Sequence, residues 1–247
     1  MKKFVIGLVC IFICALAKAA TETINWYVDG NTYATTTCQT GGDITLPTAP
    51  TKYGYTFHGW ADDYIFLEYI ESTGTQYIDT GYTFDTEHKL ILNVKPSDNS
   101  LAWFFGANAN AGEVIIGKRD NLYFGGLIGS GVNIFPTSKY YNIIMDTNHT
   151  DTSLVVDDNI VFTGSKNFNS RNILLFAYIP GTAEGINGVS TQISSFKMYQ
   201  KDGTLVQNLI PAKRTSDNVL GMYDTVTDTF FTNAGTGEFI AGPVINQ

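Results

Sequence analysis

The segment Lys89-Leu90-Ile91-Leu92-Asn93-Val94-Lys95 decides the fold class of this chain. In an extended conformation Leu90, Leu92 and Val94 share one face, while the opposite face carries Lys89, Asn93 and Lys95. A period of two that separates apolar from polar side chains is typical of a strand that is buried on one side only. The segment therefore predicts a half-buried strand in a sheet that covers a core.

Other short apolar runs extend this pattern towards the C-terminus. Two pairs of runs flank turn sequences and predict hairpins: residues 154–162 around Asp157-Asp158-Asn159, and residues 193–209 around Asp202-Gly203. Such runs recur about every 8–12 residues, and outside the first 20 residues no window keeps the 3.6-residue apolar period of a helix. Residues 63–242 are therefore predicted to form a two-sheet antiparallel sandwich, followed by a tail at residues 243–247.

The composition of the whole chain agrees with an all-β fold. Among its 247 residues 15% are charged and 13% are aromatic, and 24 are glycine, which suits half-buried strands joined by tight turns better than helical bundles or disorder. The net charge is −8, from 15 Lys and Arg against 23 Asp and Glu. An acidic chain lacks the basic surface that binds phosphate backbones, so nucleic acid is not an expected partner.

The first 20 residues have the pattern of a signal peptide. Lys2 and Lys3 precede an apolar run from Phe4 to Ala17, and Ala17-Lys18-Ala19 has the small residues that a signal peptidase recognises. We therefore expect an exported protein, secreted or in the cell envelope, whose mature chain does not span a membrane. Loss of the three leader lysines takes the net charge to −11. Only Cys38 of the three cysteines then remains, so no intramolecular disulfide is expected.

A small module is predicted at residues 21–61. A strand at residues 24–28 and a threonine-rich return strand at residues 32–37 flank the turn sequence Asp29-Gly30-Asn31. Two prolines then force an extended connection to a further strand at residues 54–60. Below about 70 residues a domain needs nearly all of its aromatic side chains in its core. We therefore expect the aromatic residues of the last strand to be core residues.

The sequence ITLPTAPTKYGYTFHGW at residues 44–60 resembles the end of an internalin B-type repeat, also called the Listeria-Bacteroides repeat. The resemblance covers residues 23–61 and is present in one copy. It implies a small β-grasp-like module of the kind found on secreted or envelope proteins. The motif positions to which it assigns a structural role are Gly54, Tyr55, Phe57, Gly59 and Trp60.

Three further blocks together resemble a concanavalin A-like or laminin G-like jelly roll. They are LEYIESTGTQYIDTGY at residues 67–82, SSFKMYQKDGTLVQNLIPAKR at residues 194–214 and VLGMYDTVTDTFFTNAGTGEF at residues 219–239. The resemblance spans residues 63–242. Because that family includes carbohydrate-binding modules, adhesins and some glycosidases, it implies the domain type without fixing the ligand.

Known catalytic patterns are missing from the sequence. It contains no His-Glu-x-x-His zinc motif, no paired cysteines after the leader and no Gly-x-Ser-x-Gly elbow. A glycosidase would need two carboxylates on one face, and Asp85 with Glu87 is the only acidic i, i+2 pair, in a predicted polar turn. Asp224 and Asp228 are also predicted to lie in a turn. We therefore expect a protein that is not an enzyme.

Two groups of residues are candidates for binding. Trp103, Phe105 and Tyr123 could stack on sugar rings, although a Trp-Phe-Phe run in a strand equally predicts core residues. The Asp157-Asp158-Asn159 segment is the densest group of oxygen ligands and would suit calcium, and a hairpin turn explains it equally well. No other cofactor is expected.

The combined interpretation is a secreted or envelope protein that binds a glycan or a surface protein. One alternative is a polysaccharide hydrolase with an atypical carboxylate pair that involves Glu87 or Glu113. Another is a structural component of an envelope or phage-like assembly.

Overall fold

The computed structural model describes residues 2–8, 20–28, 31–53, 55–84, 87–96, 102–107, 114–119, 122–125, 128–132, 139–147, 152–164, 171–177 and 191–245. Regular secondary structure in these residues consists of β-strands, so the predicted all-β class is confirmed. Within the described segments there is no helix of the length and apolar character needed to cross a membrane.

The chain divides into two compact units. The first contains Met1–Ile65 together with Lys213–Val219, and the second contains Phe66–Ala212 together with Leu220–Gln247. A segment near the C-terminus therefore returns to the N-terminal unit, which a sequence division at residues 61–63 does not anticipate.

The first unit contains a four-stranded sheet. Its strands are β1 (Lys2–Leu8), β2 (Thr21–Val28), β3 (Asn31–Gln39) and β4 (Tyr55–Asp62), in the order β3-β2-β1-β4. Strands β2 and β3 form the predicted antiparallel hairpin, whereas β1 runs parallel to β4. Strand β1 lies in the predicted signal peptide, and cleavage of that segment stays a prediction.

Trp26 is the central core residue described in the first unit. Its side chain is 0% exposed, and its indole N–H donates a 2.8 Å hydrogen bond to Thr36 Oγ1. Phe57 of the repeat motif is half-buried on β4, which also contains Gly59, whereas Gly54 and the side chains of Tyr55 and Trp60 lie outside the described residues. Cys38 is half-buried on β3 and forms no disulfide.

The strands that follow are short and numerous. They are β5 (Tyr64–Phe66), β6 (Ile70–Ser72), β7 (Ile78–Phe84), β8 (His88–Pro96), β9 (Ala102–Ala107), β10 (Val114–Arg119), β11 (Leu122–Gly125), β12 (Ile128–Val132), β13 (Tyr141–Asp146), β14 (Thr152–Val156), β15 (Asn159–Gly164), β16 (Arg171–Leu175), β17 (Thr191–Gln200), β18 (Leu205–Arg214), β19 (Leu220–Asp224), β20 (Thr229–Thr232) and β21 (Ile240–Ala241).

These strands form two sheets. One has the order β12-β11-β10-β9-β16-β7, and the other follows β15-β14-β13-β8-β17-β18-β19-β20 with β5, β6 and β21 paired beside that path. The sheets contact each other through the interior: Gln207 Nε2 on β18 donates to the Thr80 carbonyl on β7 at 2.7 Å. This arrangement is the predicted antiparallel sandwich.

Strand β8 shows the burial that its sequence predicts. Its side chains alternate between buried and half-buried along the whole strand, with Leu90, Leu92 and Val94 fully buried. Both predicted hairpins are also present, as β14–β15 and β17–β18. Gly203 in the second hairpin has a φ of 84°, a conformation that glycine adopts without steric cost.

A hydrogen-bonded clasp joins residues 72–77 to residues 233–237 in the second unit. Asn233 Oδ1 accepts hydrogen bonds from the backbone N–H groups of Tyr77 and Gly235, at 3.2 and 2.8 Å. Thr75 Oγ1 donates to the Thr236 carbonyl at 2.7 Å. The first and third blocks of the jelly-roll resemblance therefore meet in space, although about 160 residues separate them.

The predicted tail is bonded to the second unit. The Glu68 N–H donates to the Pro243 carbonyl at 2.8 Å, and the Ile245 N–H donates to the Phe66 carbonyl at 3.0 Å. Residues 243–245 therefore continue the edge of the larger sheet.

Candidate functional site

The predicted stacking aromatics are mainly core residues. Trp103 is 6% exposed and Phe105 is 0% exposed, and Phe104 between them is also fully buried. Because neighbouring side chains of a strand point to opposite faces, burial of all three shows that both faces of β9 are covered. Trp103 and Phe105 therefore have no open ring face for a ligand. The side chain of Tyr123 lies outside the described residues.

The proposed calcium ligands form the turn of the β14–β15 hairpin. Asp157 and Asp158 have φ values of 47° and 66°, as a two-residue hairpin turn requires. Asp157 accepts hydrogen bonds from Lys139 Nζ at 2.7 Å and from the Asn142 N–H at 2.9 Å. Although burial alone would raise its pKa, these two donors and the charge of Lys139 lower it. Among the described residues no group of three or more histidine, cysteine, aspartate or glutamate side chains is placed to hold a metal ion.

We expect chelation with EDTA to leave the unfolding temperature unchanged. The carboxylate of Asp157 already binds a cation and a backbone N–H, so calcium would have to displace Lys139. Differential scanning calorimetry with EDTA and with millimolar calcium tests this prediction. A rise of several degrees on addition of calcium that Asp157→Asn abolishes would contradict it; asparagine is chosen because it tolerates a positive φ.

An open cleft of about 670 Å³ lies in the second unit. It is formed by the end of β7, the start of β8 and the β17–β18 turn. Its described lining residues are Gly81, Tyr82, Thr83, Glu87, His88, Gln200, Lys201 and Asp202.

Strand register explains why these residues meet. His88 at the start of β8 pairs with Gln200 at the end of β17. The residues just beyond that pair, Glu87 and Lys201, are then adjacent, and Lys201 Nζ lies 2.6 Å from Glu87 Oε1. Two segments more than 100 residues apart thus form one wall of the cleft.

Tyr82 is held in place by a buried histidine. Its hydroxyl lies 3.2 Å from His88 Nε2, and the two rings meet edge to face with centroids 5.3 Å apart. His88 is only 7% exposed, and its backbone N–H donates to Thr147 Oγ1 at 3.0 Å while Thr147 Oγ1 donates to its carbonyl at 2.7 Å. The contact with His88 fixes the hydroxyl edge of the half-buried Tyr82 ring. A ligand that stacks on this ring would therefore lose little free energy in ordering the side chain.

The charged groups of the cleft are exposed at its rim. Glu87 and Lys201 form the ion pair, and both side chains are more than half exposed. Asp202 Oδ1 accepts a 2.8 Å hydrogen bond from the Thr204 N–H, and hydrogen bonding to Thr204 lowers its pKa. The carboxyl group of Asp202 is therefore ionised at neutral pH.

The lining suits recognition of a polyhydroxylated ligand. The described lining residues offer the phenol ring of Tyr82, the imidazole of His88, the hydroxyl groups of Tyr82 and Thr83, an amide, an ammonium group and two carboxylates, which together supply hydrogen-bond donors and acceptors around an apolar face. A glycosidase would need a carboxylic acid with a raised pKa, and the pKa of Asp202 is lowered. Asp224, the other acidic residue considered from sequence, was expected to be solvated in a turn; it is instead fully buried as the last residue of β19, where its carboxylate accepts hydrogen bonds from the Val226 N–H and Thr227 Oγ1 of the following turn.

The sequence contains one signal for this cleft, which is the position of His88 in the alternation of β8. His88 has the same alternation as Leu90, Leu92 and Val94, so it occupies an inward position of β8. A histidine side chain at a buried position of a strand needs a hydrogen-bond partner, and the Tyr82 hydroxyl is the partner of His88 Nε2. The role of Lys201 had no comparable signal, because Asp202-Gly203 predicted only a turn.

Comparison with known proteins supports the N-terminal resemblance. Residues 23–86 match the family model of the Listeria-Bacteroides repeat domain. The match starts where the sequence predicts the repeat and continues beyond the predicted end at Ala61. No curated protein matches the chain.

One similar solved structure covers most of the chain. It is a crystal structure of a Bacteroides ovatus protein that is provisionally described as carbohydrate-binding, with a TM-score of 0.52 and 9% sequence identity. The similarity covers 92% of this chain and 70% of that one. At this identity the comparison shows a shared fold only. The chain therefore resembles the Listeria-Bacteroides repeat at residues 23–86 and shares its β architecture with this Bacteroides ovatus protein.

Proposed function

We propose that this protein is an exported, non-enzymatic glycan-binding protein whose ligand occupies the cleft at Tyr82. The observation that carries the proposal is the tyrosine ring fixed by buried His88 and surrounded by hydrogen-bonding side chains. Sugars present apolar C–H faces that stack on aromatic rings and hydroxyl groups that need polar partners. The cleft offers both kinds of contact at one place.

Two comparisons support a surface role. The repeat at residues 23–86 and the fold shared with a protein provisionally described as carbohydrate-binding both suit a secreted or envelope protein. In this proposal residues 1–20 are the export signal, the second unit is a laminin G-like jelly roll that binds the glycan, and the first unit docks or spaces it.

We expect Tyr82→Ala to weaken glycan binding by about tenfold or more. Loss of a stacked ring removes apolar burial of about 1.5 kcal/mol or more, and about 1.4 kcal/mol corresponds to a factor of ten in affinity. Glycan-array screening of plant, microbial and host oligosaccharides, followed by calorimetry with the strongest binder, gives the measurement.

Two variants serve as controls for this experiment. Tyr82→Phe keeps the ring but removes the hydroxyl contact with His88 that fixes it, so it should weaken binding less than Tyr82→Ala does. Tyr33→Ala removes an exposed tyrosine of the first unit and should leave binding unchanged. A wild-type protein that binds nothing on the array, or a Tyr82→Ala variant with full affinity, would overturn the proposal.

A polysaccharide hydrolase is the second candidate, because Glu87 and Asp202 line the same cleft. Release of reducing sugar by the wild-type protein, lost in Glu87→Gln, would establish it. The other carboxylate considered from sequence, Glu113, lies outside the described residues. A role as a structural component of an assembly would instead be indicated by a large oligomeric mass without any glycan binding.

A further inference from the structure

The charges around the cleft are unevenly compensated. The described lining residues contribute two carboxylates, Glu87 and Asp202, and one ammonium group, Lys201. Lys201 is joined to Glu87 at 2.6 Å, whereas Asp202 bonds to the backbone of Thr204 and to no cation in the described structure. Among the described lining residues negative charge is therefore in excess.

We propose that the cleft selects uncharged glycans and rejects glycans that carry carboxylate or sulfate groups, an inference that rests on the proposed binding function. An acidic sugar bound at Tyr82 would approach the carboxylates of Glu87 and Asp202. Among the described lining residues the ammonium group open to it is that of Lys201, and an acidic sugar that bound Lys201 would lie beside Glu87, a second anion. Both arrangements place like charges close together.

The charge of the whole protein acts in the same direction. The exported chain, with the net charge of −11 that remains after loss of Lys2, Lys3 and Lys18, repels polyanions at long range, and this repulsion is screened over about 8–10 Å at physiological ionic strength. A neutral oligosaccharide meets neither the local nor the long-range repulsion. Its hydroxyl groups can accept hydrogen bonds from Lys201 and Gln200 and donate to the carboxylates without breaking the ion pair.

The experiment compares oligosaccharides that differ only in the oxidation of C6. Glycan arrays and calorimetry give the ratio of acidic to neutral affinity for two pairs of oligomers. One pair contains galactose or galacturonate, and the other contains glucose or glucuronate. We expect the neutral member of each recognised pair to bind about tenfold or more tightly at low salt. Added NaCl should raise the ratio towards one, because salt screens the repulsion.

Charge variants locate the effect in the cleft. Asp202→Asn keeps an acceptor for the Thr204 N–H and removes the charge, so the ratio of acidic to neutral affinity should rise by about three- to tenfold. Lys201→Gln should lower the ratio. Asp158→Asn removes the same charge from an exposed hairpin turn outside the cleft, where asparagine also tolerates the positive φ, and should leave the ratio unchanged.

The outcomes separate the two proposals. Equal or tighter binding of the acidic oligomers by the wild-type protein, or an unchanged ratio in Asp202→Asn, would overturn the charge selection while leaving glycan binding intact. An absence of binding to every oligomer would overturn the glycan-binding function itself.

Discussion

Replacing Gly235 with alanine is expected to destabilise the second unit by about 3 kcal/mol, equivalent to a fall of roughly 10 °C in its unfolding temperature. A Cβ at this position would overlap the carbonyl oxygen of Thr75 and lie 3.0 Å from Tyr77 Cδ1. The Thr75 carbonyl accepts a hydrogen bond from the Thr236 N–H, so the backbone cannot move away without disturbing the clasp. Differential scanning calorimetry measures the effect.

The matched control for this substitution is Gly203→Ala. Gly203 has a positive φ of 84°, but no atom lies within 4 Å of an added Cβ. Alanine should therefore cost only the backbone strain of the left-handed conformation, about 1 kcal/mol. If Gly235→Ala lowered the unfolding temperature no more than Gly203→Ala does, the close approach of residues 75–77 to Gly235 would not be the reason for glycine at this position.

Replacing Trp26 with alanine is expected to unfold the β2–β3 hairpin. Truncation of a fully buried tryptophan costs about 3–5 kcal/mol, and a unit of this size has little stability in reserve. Hydrogen exchange followed by mass spectrometry should show loss of protection for the amides of β2 and β3. The amides of β8 provide the internal reference within the same molecule.

Thr36→Val separates the hydrogen bond of Trp26 from its packing. The substitution keeps the shape of the side chain and removes the Oγ1 that accepts the indole N–H at 2.8 Å. We expect a loss of about 1–2 kcal/mol and a hairpin that remains protected. Protection of β2 and β3 in Trp26→Ala equal to that in the wild-type protein would show that this ring does not hold the first unit together.

Local pattern was sufficient for much of the fold. The alternation around Leu92 predicted both the strand β8 and the face that it buries, and Asp202-Gly203 predicted a real hairpin turn. Such features depend on neighbours within a few residues, so the sequence contains the information that they need.

The stacking residues could not be assigned in the same way. An alternating aromatic run indicates a strand, but exposure of its rings depends on what covers each face of the sheet. Strand β9 lies inside its sheet, between β10 and β16, and the burial of all three rings of its Trp-Phe-Phe run shows that both of its faces are covered. The sequence pattern does not encode that coverage.

The sequence by itself therefore determined the all-β class, the hairpins, the buried face of β8 and the acidic, weakly charged surface. Each of these features follows from composition or from the spacing of residues that are close in the chain. Only the tertiary structure brought Tyr82, His88 and Lys201 together in one cleft. That site depends on the pairing of β8 with β17, which joins segments more than 100 residues apart. Long-range register is fixed by the packing of the complete core, and no short stretch of sequence specifies it.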